Sequence, residues 1–358
     1  MRRYTPQSVK QQIFTGLKAF GLAEEPAQVC TEIMFATDLA GVDSHGISML
    51  PLYWQEISDG TLNEKAEQRL VHQFGAVSVF DADHGFGHPV SVRAMDAAIE
   101  AAEKFGVGIG SVRNANHFGA AGQYVLRAAR RGMVGIATCS TRSAMQKPTG
   151  AKHALMGTNP IAFAHPVKDE EPIFVDMATT VVPGNKVKVY AYADEPLAGE
   201  WATDGHGEVV TDGMRVYSAL LDSEASDIGL LPVGGNSAGG HKGYALATMV
   251  QLLSAALSGS DQPGDVAGRQ SIGYFFLAID PRAFGDGADA EEYARVLRNT
   301  LRGMEPIDPD EPVQVAGDPE HRSVEARSVN GIPISDGMVQ AIRDAVEAAG
   351  AEFILTEV

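Results

Sequence analysis

Apolar residues at helical spacing occupy both ends of this 358-residue chain, and strand-like runs occupy its middle. Such a pattern restricts the fold to a sheet flanked by helical parts drawn from the two termini. Thr5 and Pro6 give a cap and first-turn signal, and Val9, Ile13, Leu17 and Phe20 follow on one face until Gly21. Pro26 opens a second pattern through Val29, Ile33, Ala36 and Leu39, closed by Gly41, and Ser48 with Pro51 opens a third that stops at Gly60. Strands are expected at 77–80, 107–112, 133–139, 161–164, 173–175, 186–190 and 274–279. Helices are expected over 89–105, 120–131 and 244–257, and again in the tail at 288–302 and 338–349. Residues 1–75 and 285–358 thus read as a helical subdomain, and 76–284 as a sheet-rich domain. The expected class is α/β, of the α+β type.

The 46 acidic against 28 basic residues give a formal charge of −18, a surface that repels nucleic acid and anionic membranes. An anionic small-molecule substrate would need positive groups placed inside its pocket. Cys30 and Cys139 are the only cysteines, which excludes a disulfide scaffold or a cysteine zinc site and fits a reducing compartment. The first residues carry two arginines but no apolar core, so no signal peptide is expected there, and residues 245–257 are too short to span a bilayer. A cytoplasmic protein is expected.

Asp43-Ser44-His45-Gly46 lies between two helical patterns. A histidine in such a turn can face a cleft and exchange a proton near neutral pH, because its ordinary pKa is about 6.5. The same tetrapeptide also fits a histidine satisfied within packing. No phosphate cradle of a familiar kind occurs: Gly106-Val-Gly108-Ile-Gly110-Ser111 fails the G-x-G-x-x-G pattern at its last position and reads as a strand. Gly239-Gly240-His241-Lys242-Gly243 lacks the P-loop spacing, yet its glycines and lysine open a helix where an anion would be welcome. Asn116-His117-Phe118-Gly119-Ala120 also precedes a helix, and serves equally as a ligand contact or as a packed cap. Gly157-Thr158-Asn159-Pro160 reads as a turn, Asp176-Met177-Ala178 as a strand end, and Gly317-Asp318 as a loop of the tail. No histidine pair has metalloprotease spacing, so no metal is expected. A serine hydrolase is disfavoured, because Ser44 and His45 are adjacent and no G-x-S-x-G elbow exists.

Taken in order, DLAGVDSHGISMLPLYWQEISDG, VFDADHGFG, NANHFGAAGQYVLRAARRG, MGTNPIAFAHP, FVDMATT, GGHKGYALATMVQLLSAALSG and the tail around AGDPEH resemble the malate/L-lactate dehydrogenase type 2 family. The resemblance implies a mostly antiparallel central sheet with helical subdomains and a nicotinamide-binding fold that is not Rossmann. It also implies a homodimer whose partner chain borders the active site. It implies NAD or NADP as cofactor and a 2-oxo or 2-hydroxy acid of malate or lactate type as substrate. A cyclic ketimine reductase or ureidoglycolate-type dehydrogenase is the alternative. His45 corresponds to the family's proton donor and Ser44 to the residue that orients it. His117, Phe118, Gly119, Ala120, Asp176, Met177, Ala178, Lys186, His241, Lys242, Gly317 and Asp318 correspond to cofactor-binding positions, and Thr158 to one near the substrate. The family commonly carries arginine where this chain has Met49, leaving Arg142 or Lys147 as candidates to meet a carboxylate. Imine-reducing members carry aspartate where Lys186 stands, which lowers that alternative.

Overall fold

A computed structural model describes residues 1–141, 143–221, 227–265 and 268–358. The chain opens with β1 (Arg2–Tyr4), α1 (Pro6–Ala19), α2 (Glu24–Leu39), a 3-10 turn (Ile47–Met49) and α3 (Leu50–Ser58). The middle contains β2 (Arg69–Phe74), β3 (Val77–Asp81), α4 (Gly87–Phe105), β4 (Val107–Ala115), α5 (Gly122–Ala129), β5 (Val134–Cys139), β6 (Ile161–Val167) and β7 (Glu170–Met177). Then come α6 (Gly184–Ala193), β8 (Ala202–Thr203), α7 (Gly213–Leu221), β9 (Gly229–Leu230) and α8 (Gly240–Gln251), which continues as a π-helical turn, Leu252–Ala256. The tail holds β10 (Ile272–Ile279), α9 (Gly287–Arg302), α10 (Asp318–Asn330), β11 (Ile332–Ile334) and α11 (Asp336–Ala348).

Seven strands form the main sheet in the order β2-β3-β4-β10-β5-β6-β7. All neighbours in it are antiparallel except β3 and β4. β10 lies in its middle and is almost wholly buried, which is why its sequence, IGYFFLAI, is a continuous apolar run rather than an alternating one. The glycines of the 106–110 segment have a packing role. Gly106 ends α4 in the left-handed region (φ +81°), and its N–H donates to Ala102. A Cβ on Gly108 or Gly110 would overlap the carbonyls of Ala98 or Ala94, so α4 rests directly on β4 through these bare positions.

Three apolar clusters result. One joins α4 and α5 to the sheet, with Ala94, Ala98, Tyr124, Tyr274 and Phe276 fully buried. A second unites α1, α2 and α3 with α11 and β11 from the far end of the chain, closed by the β1–β11 pairing. A third, smaller one gathers Val182, Val187, Trp201, Val216 and Leu230 around α6 and α7. α10 packs on α2, whereas α9 lies against β6 and β7.

Two readings of the sequence need correction. Residues 186–190 are helix rather than strand: Val187 and Ala191 are buried one turn apart while Val189 is 63% exposed, so the inward spacing is four, not two. Asp318 begins α10 instead of lying in a loop, with Gly317 as its left-handed cap (φ +97°). No residue of α10 is buried, so it has no apolar stripe to read.

Candidate active site

The Asp43–Gly46 turn is fixed from beneath by Asp38 near the end of α2. Asp38 is 2% exposed, and its Oδ2 accepts the Ile47 N–H at 2.8 Å, satisfying a donor at the start of the following 3-10 turn. Gly46 is required here, because a Cβ at that position would overlap the Asp38 carboxyl. Burial pushes the Asp38 carboxyl up to about 8, opposed by its bond to Ile47. Arg327 of α10 straps the turn from the other side, pairing with the Asp43 carboxylate and donating to the Asp38 carbonyl at 2.8 Å.

Within this frame Ser44 Oγ lies 2.7 Å from His45 Nδ1. The turn, closed by His45 N–H to the Val42 carbonyl at 3.0 Å, brings the two adjacent side chains together. With Nδ1 engaged, Nε2 is the nitrogen left for another group. Asn185, at the start of α6, donates to the Ser44 carbonyl at 3.2 Å and ties the third cluster to the turn. Burial depresses the His45 imidazole to about 4, so the ring is neutral at pH 7.

The His117 ring stacks on that of His45, with centroids 5.3 Å apart and planes 28° from parallel. His117 Nδ1 lies 2.8 Å from the Tyr53 hydroxyl and accepts the Gly119 N–H at 3.3 Å. Phe118 is buried against Tyr274, with centroids 4.5 Å apart, and its carbonyl accepts the Tyr124 hydroxyl. His88 lies behind this turn, fully buried, with neither ring nitrogen hydrogen-bonded. Burial first, then the nearby His45, holds it near 3. Sequence reasoning missed Asp38, Tyr53, His88, Asn185 and Arg327. Asp38 had a recoverable signal, an acidic helix end preceding the D-S-H-G turn; the others meet the turn only through tertiary packing.

The end of β7 joins the remaining segments. Asp176 Oδ2 accepts the Gly122 N–H at 2.7 Å at the start of α5. Thr179 donates through both N–H and Oγ1 to the Thr158 carbonyl, each at 2.9 Å. The Thr179 carbonyl accepts the Val233 N–H at 2.9 Å, on the approach to the glycine-rich start of α8. There, a cleft of about 590 Å³ is lined by Lys147–Lys152, Thr203, Gly235, Gly239, Gly240 and His241. None of Ser44, His45 and His117 lines that cleft. Lys242 is exposed beside it. Gly317 abuts Phe174, where a Cβ would come within 2.8 Å of the ring, and Asp318 pairs with Arg302 at 2.7 Å. Lys186 is exposed, with its ammonium 5.3 Å from the Trp201 ring centroid.

Met49 is 5% exposed and packs in the terminal helical cluster. Lys147 donates to the carbonyls of Asp204 and Asp227. Arg142 lies outside the described residues. Among the described residues no cluster of His, Cys, Asp or Glu is arranged to hold a metal, and no helix is long and apolar enough to cross a membrane.

Residues 4–343 match the family model described as malate/L-lactate dehydrogenase. A malate dehydrogenase of Pyrococcus abyssi is 33% identical over 94% of this chain and 92% of its own length. A (2R)-3-sulfolactate dehydrogenase (NADP(+)) of Chromohalobacter salexigens is 35% identical over 76% of this chain and 79% of its own. Among solved structures, malate dehydrogenase from Entamoeba histolytica superimposes with a TM-score of 0.92 at 27% identity, covering 98% of this chain and 99% of that one.

Proposed function

The chain belongs to the malate/L-lactate dehydrogenase family, and on that premise we propose that it moves a hydride between NAD(P)H and a small 2-oxo or 2-hydroxy acid, with His45 handling the proton. The observation that carries this reading is the His45 ring, held at Nδ1 by Ser44 at 2.7 Å and stacked on His117.

The residues present suit a dinucleotide held without a doubly wound parallel sheet. Gly119 is left-handed (φ +75°), and a Cβ there would come within 2.9 Å of His88 Nε2, so the backbone of His117–Ala120 stays bare. The start of α8 offers its positive dipole end and the exposed side chains of His241 and Lys242 to phosphate. His117, Phe118, Gly119, Ala120, Asp176, Met177, Ala178, Lys186, His241, Lys242, Gly317 and Asp318 would hold the cofactor. When bound, its nicotinamide ring supplies or takes up the hydride. The antiparallel main sheet and the absence of G-x-G-x-x-G support a non-Rossmann mode of binding.

In the oxidation direction, neutral His45 accepts the hydroxyl proton at Nε2, and Ser44 keeps the ring from turning. In the reduction direction the imidazole must first gain a proton. A carboxylate arriving beside it raises its pKa and makes that gain favourable. The protonated ring then neutralises the oxygen as charge develops there, a contribution of about 10²–10⁴-fold. With Met49 in the core, we assign a substrate carboxylate to His117 Nε2 and to Thr158. The terminal helical part thus supplies the acid–base turn, and the sheet-rich part supplies the cofactor contacts.

Family membership supports a homodimer whose second chain borders this site. The two buried free thiols, Cys30 and Cys139, fit a reducing cytoplasm. The test is absorbance at 340 nm with NADH and NADPH against pyruvate, oxaloacetate, 2-oxoglutarate, sulfopyruvate, diketogulonate and a cyclic imine. Turnover of an oxo acid is expected, and its loss in His45→Ala. Turnover of the imine alone would replace this reading with that of a ketimine reductase.

A further inference from the structure

We propose that Tyr53 is a positioning residue whose hydroxyl commits His117 to a single tautomer, and so sets one N–H donor beside His45. Tyr53 is fully buried on α3, the helix that follows the His45 turn. Its hydroxyl reaches His117 Nδ1 at 2.8 Å, and the Gly119 N–H reaches the same nitrogen at 3.3 Å. A backbone N–H only donates, so Nδ1 carries the lone pair, the phenol also donates to it, and the ring proton sits on Nε2. Burial raises the Tyr53 phenol well above its ordinary range, which keeps the hydroxyl a donor. The phenol ring cannot swing away: Phe86 and His88 meet it edge-on, at centroid distances of 5.1 and 5.9 Å.

A histidine free to choose its tautomer would present an acceptor to its ligand for part of the time. Fixing Nδ1 from behind removes that state, so the Nε2–H is always ready for a carbonyl or carboxylate oxygen. Because Tyr53 follows the His45 turn in one continuous stretch of chain, donor and acid–base group are set together. The kinetic part of this proposal rests on the dehydrogenase reading; the tautomer part does not.

The test is a long-range ¹H–¹⁵N spectrum of the full-length protein labelled with ¹⁵N-histidine, paired with kinetics of Tyr53→Phe. In the native protein His117 is expected wholly as the Nε2–H form. In Tyr53→Phe its Nδ1 resonance moves toward the unbonded value, and KM rises about tenfold, the scale of one lost hydrogen bond. The acid limb of the pH profile, set by His45, stays in place. Incorporating 3,5-difluorotyrosine at position 53, which makes a stronger donor of the same shape, should move the resonance the opposite way, and it serves if the phenylalanine variant does not fold. Unchanged ¹⁵N shifts in both variants, or changed shifts with unaltered KM, overturn the proposal. If no oxo acid is turned over by the native protein, the spectra still decide the tautomer, and only the dehydrogenase reading falls.

Discussion

Asp38 and Gly46 are interlocked: the carboxyl of one fills the space a side chain on the other would need, and its Oδ2 holds the Ile47 N–H at 2.8 Å. Gly46→Ala must displace a buried carboxyl and is expected to cost about 1–3 kcal/mol, and to lower turnover because His45 is the adjacent residue. Thermal melts and kcat together check this, and an alanine variant of native stability and rate would show the interlock to be unimportant.

The same carboxyl makes a second, sharper prediction. With its pKa near 8, Asp38 is protonated at neutral pH in the fold and ionised in the unfolded chain. Its contribution to stability is therefore full below the ordinary carboxyl range and is lost as pH rises toward 8. Asn resembles the protonated form. Asp38→Asn should match the native protein near pH 4 and be the more stable of the two at pH 8, whereas Asp38→Ala, which abandons the Ile47 N–H, should be weaker throughout. Denaturant titrations at the two pH values decide it; parallel stability–pH curves for native and Asn proteins would refute the assignment.

With His45 as the proposed base, its ionisation should set the pH dependence of activity. Its free-protein pKa of about 4 means that the base form is present well below pH 6.5. The acid limb of kcat/KM for hydroxy-acid oxidation, which reports the free protein, is expected below pH 5. His45→Gln should remove at least about two decades of rate while leaving dinucleotide binding, read by fluorescence, near native. A limb at pH 6.5 or above, or a fully active glutamine variant, would count against His45 as the base.

His88 acts on the fold in the opposite sense to Asp38. It is buried without partners, its pKa near 3, among His45, His117, Tyr53 and Phe86. Being depressed below the unfolded value of about 6.5, it supplies stability that is present above pH 6.5 and lost as pH falls toward 3. The loss has a limiting slope of about 1.4 kcal/mol per pH unit. His88→Leu should flatten the acid side of the stability curve by that amount. A variant with the native slope would place the acid sensitivity elsewhere.

Much of the architecture could be read before any coordinates. α1, α2, α4, α9 and α11 carry apolar residues at helical spacing with clear stops, and each forms where expected. β2, a fully exposed edge strand, and α10, without a buried residue, bury too little to leave a pattern. α6 misled because Lys186-Val187-Lys188-Val189 alternates like a strand while only Val187 turns inward. In the site, His45 and His117 enter through the family resemblance, because the local sequence of each fits a packed histidine as well. Tyr53, eight residues beyond His45 on an ordinary apolar helix, gives no such sign, and its role exists only once α3 is packed beneath the 117–119 turn.

In the proposed function, the start of α8 serves binding and the His45 turn serves chemistry. His241 and Lys242 stand exposed where Gly239, left-handed at φ +106°, turns the chain into the helix, with the Gly240 and Lys242 N–H groups bonded to the carbonyls of Gly235 and Gly239. The proposed phosphate contacts thus lie apart from Ser44, His45 and His117, none of which lines that cleft. Lys242→Ala should therefore raise KM for the reduced dinucleotide by about five- to tenfold, the scale of one charge-assisted hydrogen bond, and leave kcat within a factor of about two. Because Lys242 acts through charge at an exposed position, added salt should raise the native KM and narrow the gap between the two proteins. Steady-state kinetics at low and high salt measure both effects. A variant that loses kcat with KM intact would move Lys242 from cofactor binding into the chemical step.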